Sequence, residues 1–294
     1  MKDNFSIAVV ADSAASLPQS SHGYDFLYVV PMNINVDGFE FIDKHENSLD
    51  EFYRLMKQGS PTIKTSQPSP NAYLSVFKKI VSKSINKIIC VTVSSKLSGS
   101  YNSACIAAKE VNDQLNSVNI EVVDSKSAAA GEGLIVLELC KMIQQGFNID
   151  QVLSSVQSIV QNTSMVGAIE NLHYAWKSGR IPRLAYWGSN MLGIKPVFEL
   201  NEGEITLLAK PRTSKKVNEK IINYLLDKSS ESDLSISIMH ADELERALQL
   251  IERIKAEMKY RELFLTNVSP IIGTYAGPGM IGVAFCHGGC KWSL

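Results

Sequence analysis

Short β-branched runs alternate with longer segments of helical period along nearly all of this chain, and that alternation confines it to α/β architecture. The first run, Phe5 to Val10, is continuously apolar rather than alternating, which predicts a strand buried on both faces of a parallel sheet. Phe26 to Val36, Asp37-Gly38 and Phe39 to Ile42 read as a hairpin, since Asp-Gly supplies the positive φ angles of a two-residue turn. Ser48 with Glu51 three residues on forms a capping box that opens a helix to about Lys57. Pro70 suits a first helical turn, and Tyr73, Val76, Phe77, Ile80 and Val81 follow at helical spacing. Strand KIICVTV, helix SGSYNSACIAAKEVNDQL, strand NIEVVDS and helix GLIVLELCKMIQQG complete a run of βα units.

The pattern then changes. An amphipathic helix over 149–161 leads to strand SMVGAIE, a short helix near NLHYAWKSGR, and a hairpin in IKPVFELNEGEITLLAKPR that turns at Asn201 to Gly203. Helix SKKVNEKIINYLLDK, strand LSISIMH, helix ADELERALQLIERIKAEM and strands LFLTNVS and MIGVAFCHG follow, which predicts a mixed sheet covered by helices. At 294 residues a single core tends to split, and no Gly/Ser linker intervenes. The expectation is two closely packed α/β domains, 1–160 with a wound, mostly parallel sheet and 161–294 with the mixed one.

Charge narrows the function. The 29 basic and 30 acidic residues are scattered singly, so no phosphate-binding surface for nucleic acid is expected. No window reaches 18 uninterrupted apolar residues, and the opening MKDNFSIAVVADSAAS reads as a strand rather than a signal peptide. Three of the five cysteines sit in apolar periodic segments as small hydrophobes, and the odd count points to a reducing cytoplasm.

Four stretches carry candidate chemistry. PTIKTSQPSP, residues 61 to 70, has three prolines and four hydroxyl residues and reads as neither helix nor strand. SSKLSGS, Ser94 to Ser100, lies between a strand and a helix, where free N–H groups and hydroxyls make an anion cradle without cations. Each also fits ordinary helix capping. GTYAGPGMIG reads as a loop in which Gly273, Gly277 and Gly279 let backbone approach a ligand or another loop. KSGRIPR contains Arg180, a surface charge or a partner contact, and Arg212 after the hairpin has the same two readings.

The hydroxyls are binders rather than attackers. SSKLSGS lacks the Gly-x-Ser-x-Gly elbow of a serine hydrolase, and no lysine follows a glycine-rich turn as in a P-loop. His240 before Asp242 reads as a strand-end cap more readily than as a base. Cys286, His287 and Cys290 lack the second cluster that a zinc site needs, so no metal is expected. Asp12 is a cap or a ligand contact.

Taken together, VVADSAASLP, VVPMNINVDG, TSQPSP, SSKLSGSYNSA, VVDSKSAAAGEG, SGRI with IKPVF, and GPGMIGVAF resemble the DegV family of bacterial fatty-acid-binding proteins over nearly the whole chain. The resemblance implies a long-chain fatty acid buried between or within two α/β domains, as a ligand and not a cofactor. Thr65 and Ser98 would hydrogen-bond its carboxylate, with Ser95 as an alternative and Arg212 in the same network. Arg180 matches a position associated with docking to an ATP-dependent fatty acid kinase, which turns the presented acid into an acyl phosphate. The implied protein has no catalysis of its own and touches membrane surfaces transiently. Alternatives are a lipid carrier uncoupled from any kinase, and a small-molecule transferase or hydrolase. The family commonly has histidine in a THTGPG-like loop; Tyr275 stands there in this chain, a hydroxyl donor that cannot become cationic near neutral pH.

Overall fold

A computed structural model of the chain describes residues 6–43, 49–57, 62–170, 172–180, 193–228 and 234–287. Strand β1 (Ile7–Asp12) is buried along its length, as its unbroken apolar run requires. β2 (Leu27–Val30) pairs with it in parallel. The run expected as one strand from Phe26 to Val36 is broken at Pro31, and its second part, β3 (Asn33–Val36), turns away into a different sheet. Proline lacks the N–H that a continuing ladder needs. The expected turn does form, with Asp37 at φ 50° and Gly38 at φ 94°, and it joins β3 to β4 (Phe39–Ile42). Helix α1 (Leu49–Lys57) occupies the expected span, although Ser48 of its capping box lies outside the described residues.

The next element departs from the sequence reading. Ile63–Ser66, inside the stretch expected to be neither helix nor strand, forms β5, paired antiparallel with β3 and placing Thr65 opposite Ile34. Its prolines lie at 61, 68 and 70, so none falls within the paired segment, and β-branched Ile63 and Thr65 suit the pleat. α2 (Pro70–Val81) follows, capped by the Ser69 hydroxyl. Then come β6 (Lys87–Thr92), α3 (Ser100–Gln114) and β7 (Asn119–Asp124), which complete a parallel sheet of order β2-β1-β6-β7. Side chains alternate across β1: Ala8 and Val10 pack under Tyr73, Phe77 and Ala104 of α2 and α3, while Ile7, Val9 and Ala11 face the opposite side.

That opposite side meets α4 (Ala129–Gln144), which is buried on all faces except near its C-terminus. A helix apolar all round needs cover all round. α4 lies between the parallel sheet and the second sheet, with α5 (Ile149–Gln161) beside it. Gly133 permits its close approach to the 3-10 turn Ser13–Ala15, since a Cβ there would stand 2.5 Å from the Ala15 carbonyl oxygen.

The second half supplies β8 (Thr163–Ala168), α6 (His173–Ser178), β9 (Val197–Asn201), β10 (Glu204–Ala209), α7 (Ser214–Lys228), β11 (Leu234–His240), α8 (Leu244–Glu257), β12 (Glu262–Asn267), α9 (Pro270–Ala276) and β13 (Ile281–His287). Its mixed sheet has the order β10-β9-β8-β13-β11-β12, with only β11 and β12 parallel. Apolar faces of α7 and α8 cover the side away from α4. α9 is the helix that the sequence reading missed: seven residues with Gly273 in the middle read as loop, yet Pro270 opens it and Gly277, at φ 75°, ends it. Tyr275 therefore projects from a helix, not from a loop.

The halves meet tightly. Gly203, at the β9–β10 turn, donates its N–H to the Lys126 carbonyl at 2.8 Å, and a Cβ there would lie 2.5 Å from Ser94 Oγ. Tyr53 of α1 donates to the Val268 carbonyl at 2.9 Å, and Tyr174 of α6 to the Met56 carbonyl at 3.1 Å. Among the described residues no helix is long and apolar enough to cross a membrane.

Candidate functional site

Packing the β5 edge and the Ser94–Gly99 loop of the first half against β8, β9, α6 and α9 of the second leaves a cavity that neither half encloses alone. Its interior is apolar, lined by Met32, Val93, Met165, Phe198, Ile271 and Met280 among others. Ala128 and Ala129, at the start of α4, also line it, whereas the Gly133–Met142 segment, an apolar stretch suited to lining a tunnel, is in the core between the sheets.

The polar lining consists of Thr65, Ser66, Gln67, Ser98, Tyr275 and Arg180. Thr65 Oγ1 and the Tyr275 hydroxyl share a short hydrogen bond. Ser98 Oγ accepts the Ser100 N–H at 3.2 Å. The Arg180 guanidinium lies 5.3 Å from the centre of the Tyr275 ring, within cation–π range. Gln67 packs on Gly99 so closely that a Cβ there would stand 2.8 Å from its Nε2, which holds the two hydroxyl-rich loops together. No carboxylate is among the described lining residues. Apolar walls and a set of O–H and guanidinium donors suit an amphipathic ligand with an anionic head.

Thr65, Ser98, Tyr275 and Arg180 are thus brought together from β5, the loop before α3, the last turn of α9 and the loop after α6. Arg180, expected at a docking surface, is exposed and also contributes to the cavity wall. Ser95 does not join them: its N–H and Oγ both donate to Asp124, at 3.1 and 2.5 Å, at an exposed position. Arg212 is exposed between β10 and α7 and is not part of the lining. Gln67 and Ser66 were missed as lining residues, and their only signal was adjacency to Thr65.

The weaker candidates have structural roles. His240 Nδ1 accepts the Glu243 N–H at 3.2 Å ahead of α8, and burial lowers the tendency of the ring to protonate. Cys286 is buried, its thiol pushed up to about 11 by desolvation, and no group of potential metal ligands is found among the described residues; Cys290 lies outside them. Asp12 caps the 3-10 turn by accepting the Ala14 N–H at 3.0 Å.

Beside this region lie buried carboxyl groups. Burial pushes Asp43 up to about 7, against hydrogen bonds from Ser13 and the Ile271 N–H and with a further rise from Asp12. Glu132, wholly buried in the first turn of α4, is raised well above the usual range by desolvation and then by Asp12. A raised carboxyl takes up its proton in the folded chain before it does so in the unfolded one, so stability falls as pH rises through the folded value. Acidification from pH 8 to 6.5 is therefore expected to stabilise the fold, by about 1 kcal/mol from Asp43 alone. His240, which the unfolded chain protonates first, begins to oppose the gain as the pH falls to about 6.5 and more so below it. Calorimetric melting at the two pH values checks the sign, and a lower Tm at pH 6.5 contradicts it.

A family model described as "Uncharacterised protein, DegV family" matches residues 6–288. A DegV domain-containing protein of Caldanaerobacter subterraneus subsp. tengcongensis is 30% identical over 281 residues, covering 95% of this chain and 98% of that protein. The crystal structure of a DegV lipid-binding protein from Thermotoga maritima superposes with a TM-score of 0.87 at 26% identity, covering 96% of this chain and 98% of that one. A DegV family protein from Ruminococcus gnavus, whose crystal structure is described with vaccenic acid, gives a TM-score of 0.86 at 26% identity over 95% of this chain and 99% of that one.

Proposed function

We propose, from the premise that this chain belongs to the DegV family, that it binds a long-chain fatty acid in the cavity between its halves and holds the carboxylate with hydroxyl groups. The observation that carries the reading is the meeting of Thr65, Ser98 and Tyr275 on the wall of an otherwise apolar cavity. The protons match the ligand. Ser98 Oγ already accepts from Ser100, so its own hydrogen is left to donate. Of the two hydroxyl hydrogens on Thr65 and Tyr275, one lies within their shared bond and the other points elsewhere. Two O–H donors then face two carboxylate oxygens through charge-assisted bonds. Arg180 adds a positive charge beside them.

The tail supplies most of the driving force. At about 0.8 kcal/mol per buried CH2, roughly 14 methylenes contribute on the order of 11 kcal/mol before ordering costs. Presentation of the carboxylate to an ATP-dependent fatty acid kinase is the finer part of the proposal. It is supported by the exposure of Arg180 next to the head-group hydroxyls.

Mass spectrometry of lipid extracted from the purified protein tests the reading. Fatty acid is expected at close to one per chain, and delipidated protein should take it up again. Repeated absence of bound acid together with no uptake overturns it. Adding a fatty acid kinase with ATP to the loaded protein addresses the finer part, for which acyl phosphate is the expected product.

A further inference from the structure

Asp12 lies at the C-terminal end of β1, fully buried, and is not part of the cavity lining. Its Oδ2 accepts the Val93 N–H at 3.1 Å and the Ser100 hydroxyl at 2.7 Å. Those two residues flank the Ser94–Gly99 loop, so one carboxylate oxygen ties down both ends of the segment that carries Ser98. Ser100 Oγ also bonds to the Tyr73 hydroxyl at 2.7 Å, and Tyr73 stands on α2, which follows directly from the Thr65 stretch. The Ser100 N–H in turn donates to Ser98 Oγ.

We propose, on the basis of the fatty-acid reading above, that Asp12 is a positioning residue for the head group: its clamp on Val93 and Ser100 keeps Ser98 Oγ an acceptor on the protein side and a donor toward the ligand. A carboxylate is acceptor-only, so the hydrogens of Val93 N and Ser100 Oγ must point at it. Ser100 is then held where its N–H meets Ser98. With the acceptor capacity of Ser98 engaged from behind, its hydrogen is directed into the cavity, where a carboxylate is favoured over a neutral ester with the same tail.

Three donors converge on Asp12, the Ala14 and Val93 N–H groups and the Ser100 hydroxyl. Its carboxyl, pushed up to about 6 by burial against the opposing hydrogen bonds, faces Glu132 from α4, Tyr73 from α2 and Cys90 from β6. Burial raises the Glu132 carboxyl well above its usual range, and Asp12 beside it adds to the rise. With donors on both of its oxygens, Asp12 is the hydrogen-bond acceptor of the pair.

The test compares hexadecanoic acid with its methyl ester as titrants of delipidated wild type, Asp12→Asn and Ser100→Ala. Wild type is expected to prefer the acid by at least tenfold. Both variants should lose most of that preference, roughly tenfold, while ester affinity stays within about threefold. A purely structural defect would weaken both ligands together. Should Asp12→Asn fail to fold, Ser100→Ala decides alone, because it removes one clamped hydroxyl and little volume. A variant that keeps the acid preference overturns the role of Asp12 and leaves the fatty-acid reading standing. Wild type that shows no preference for the acid overturns the head-group reading itself.

Discussion

Replacing Thr65 by Val and Ser98 by Ala together lowers the affinity for a long-chain fatty acid by about one to two orders of magnitude while the fold survives. Each hydrogen bond to a charged group contributes about 1.5–3 kcal/mol, and 1.4 kcal/mol is tenfold in affinity. With Tyr275 as the remaining O–H donor the net loss is one such bond, which outweighs any gain from a more apolar wall because a carboxylate short of donors loses water and receives less in exchange. Valine has the shape of threonine and suits a strand, so β5 and its pairing to β3 persist. The Tyr275 hydroxyl loses its Thr65 partner and remains as a donor beside Arg180, which is why binding falls rather than vanishes. Titration of delipidated protein measures the change. An affinity within threefold of wild type would remove both residues from the head-group site.

Replacing Gly133 by Ala is expected to destabilise the fold by about 3 kcal/mol, although alanine is the better helix former by about 1 kcal/mol. The contact decides the sign. A Cβ at this position meets the Ala15 carbonyl oxygen at 2.5 Å and the Ser16 carbonyl oxygen at 3.4 Å, both on backbone that cannot rotate away as a side chain would. α4 must then move off the 3-10 turn or lose its seat between the sheets, and Asp12 caps that same turn. A fall in Tm of roughly 6–12 °C is the expected reading in a thermal melt. An unchanged or higher Tm would mean that α4 does not approach the turn this closely.

Much of the fold could be read locally. The Asp37-Gly38 turn, the Ser69 cap with Pro70, and the helices over 149–161 and 214–228 depend on residues within a turn or two of each other. What escaped was short or nonlocal. Four residues of β5 become a strand only because β3 lies beside them, and β3 is available only because Pro31 turns the chain out of the parallel sheet. The seven residues of α9 carry too few periodic positions to outweigh their glycine.

The candidate site divides in the same way. Hydroxyl-rich stretches before α2 and α3 could be picked out because capping and anion binding place Ser and Thr ahead of helices. Ser95 and Ser98 stand three residues apart in one such stretch, and composition does not separate them. The fold does, by turning Ser95 outward onto Asp124 and Ser98 onto the cavity.

The sequence by itself determined the longer helices and strands, the α/β class and the presence of hydroxyl groups where helices begin, because propensity, turn chemistry and capping act over a few residues. Only the tertiary structure decided which groups share the cavity. Thr65 and Tyr275 are 210 residues apart in the chain and bond directly, Arg180 joins them, and Arg212 does not. That selection belongs to the packing of α4 between two sheets and of α9 against β3. Long-range burial, unlike local preference, sets where a side chain ends up relative to residues far along the chain.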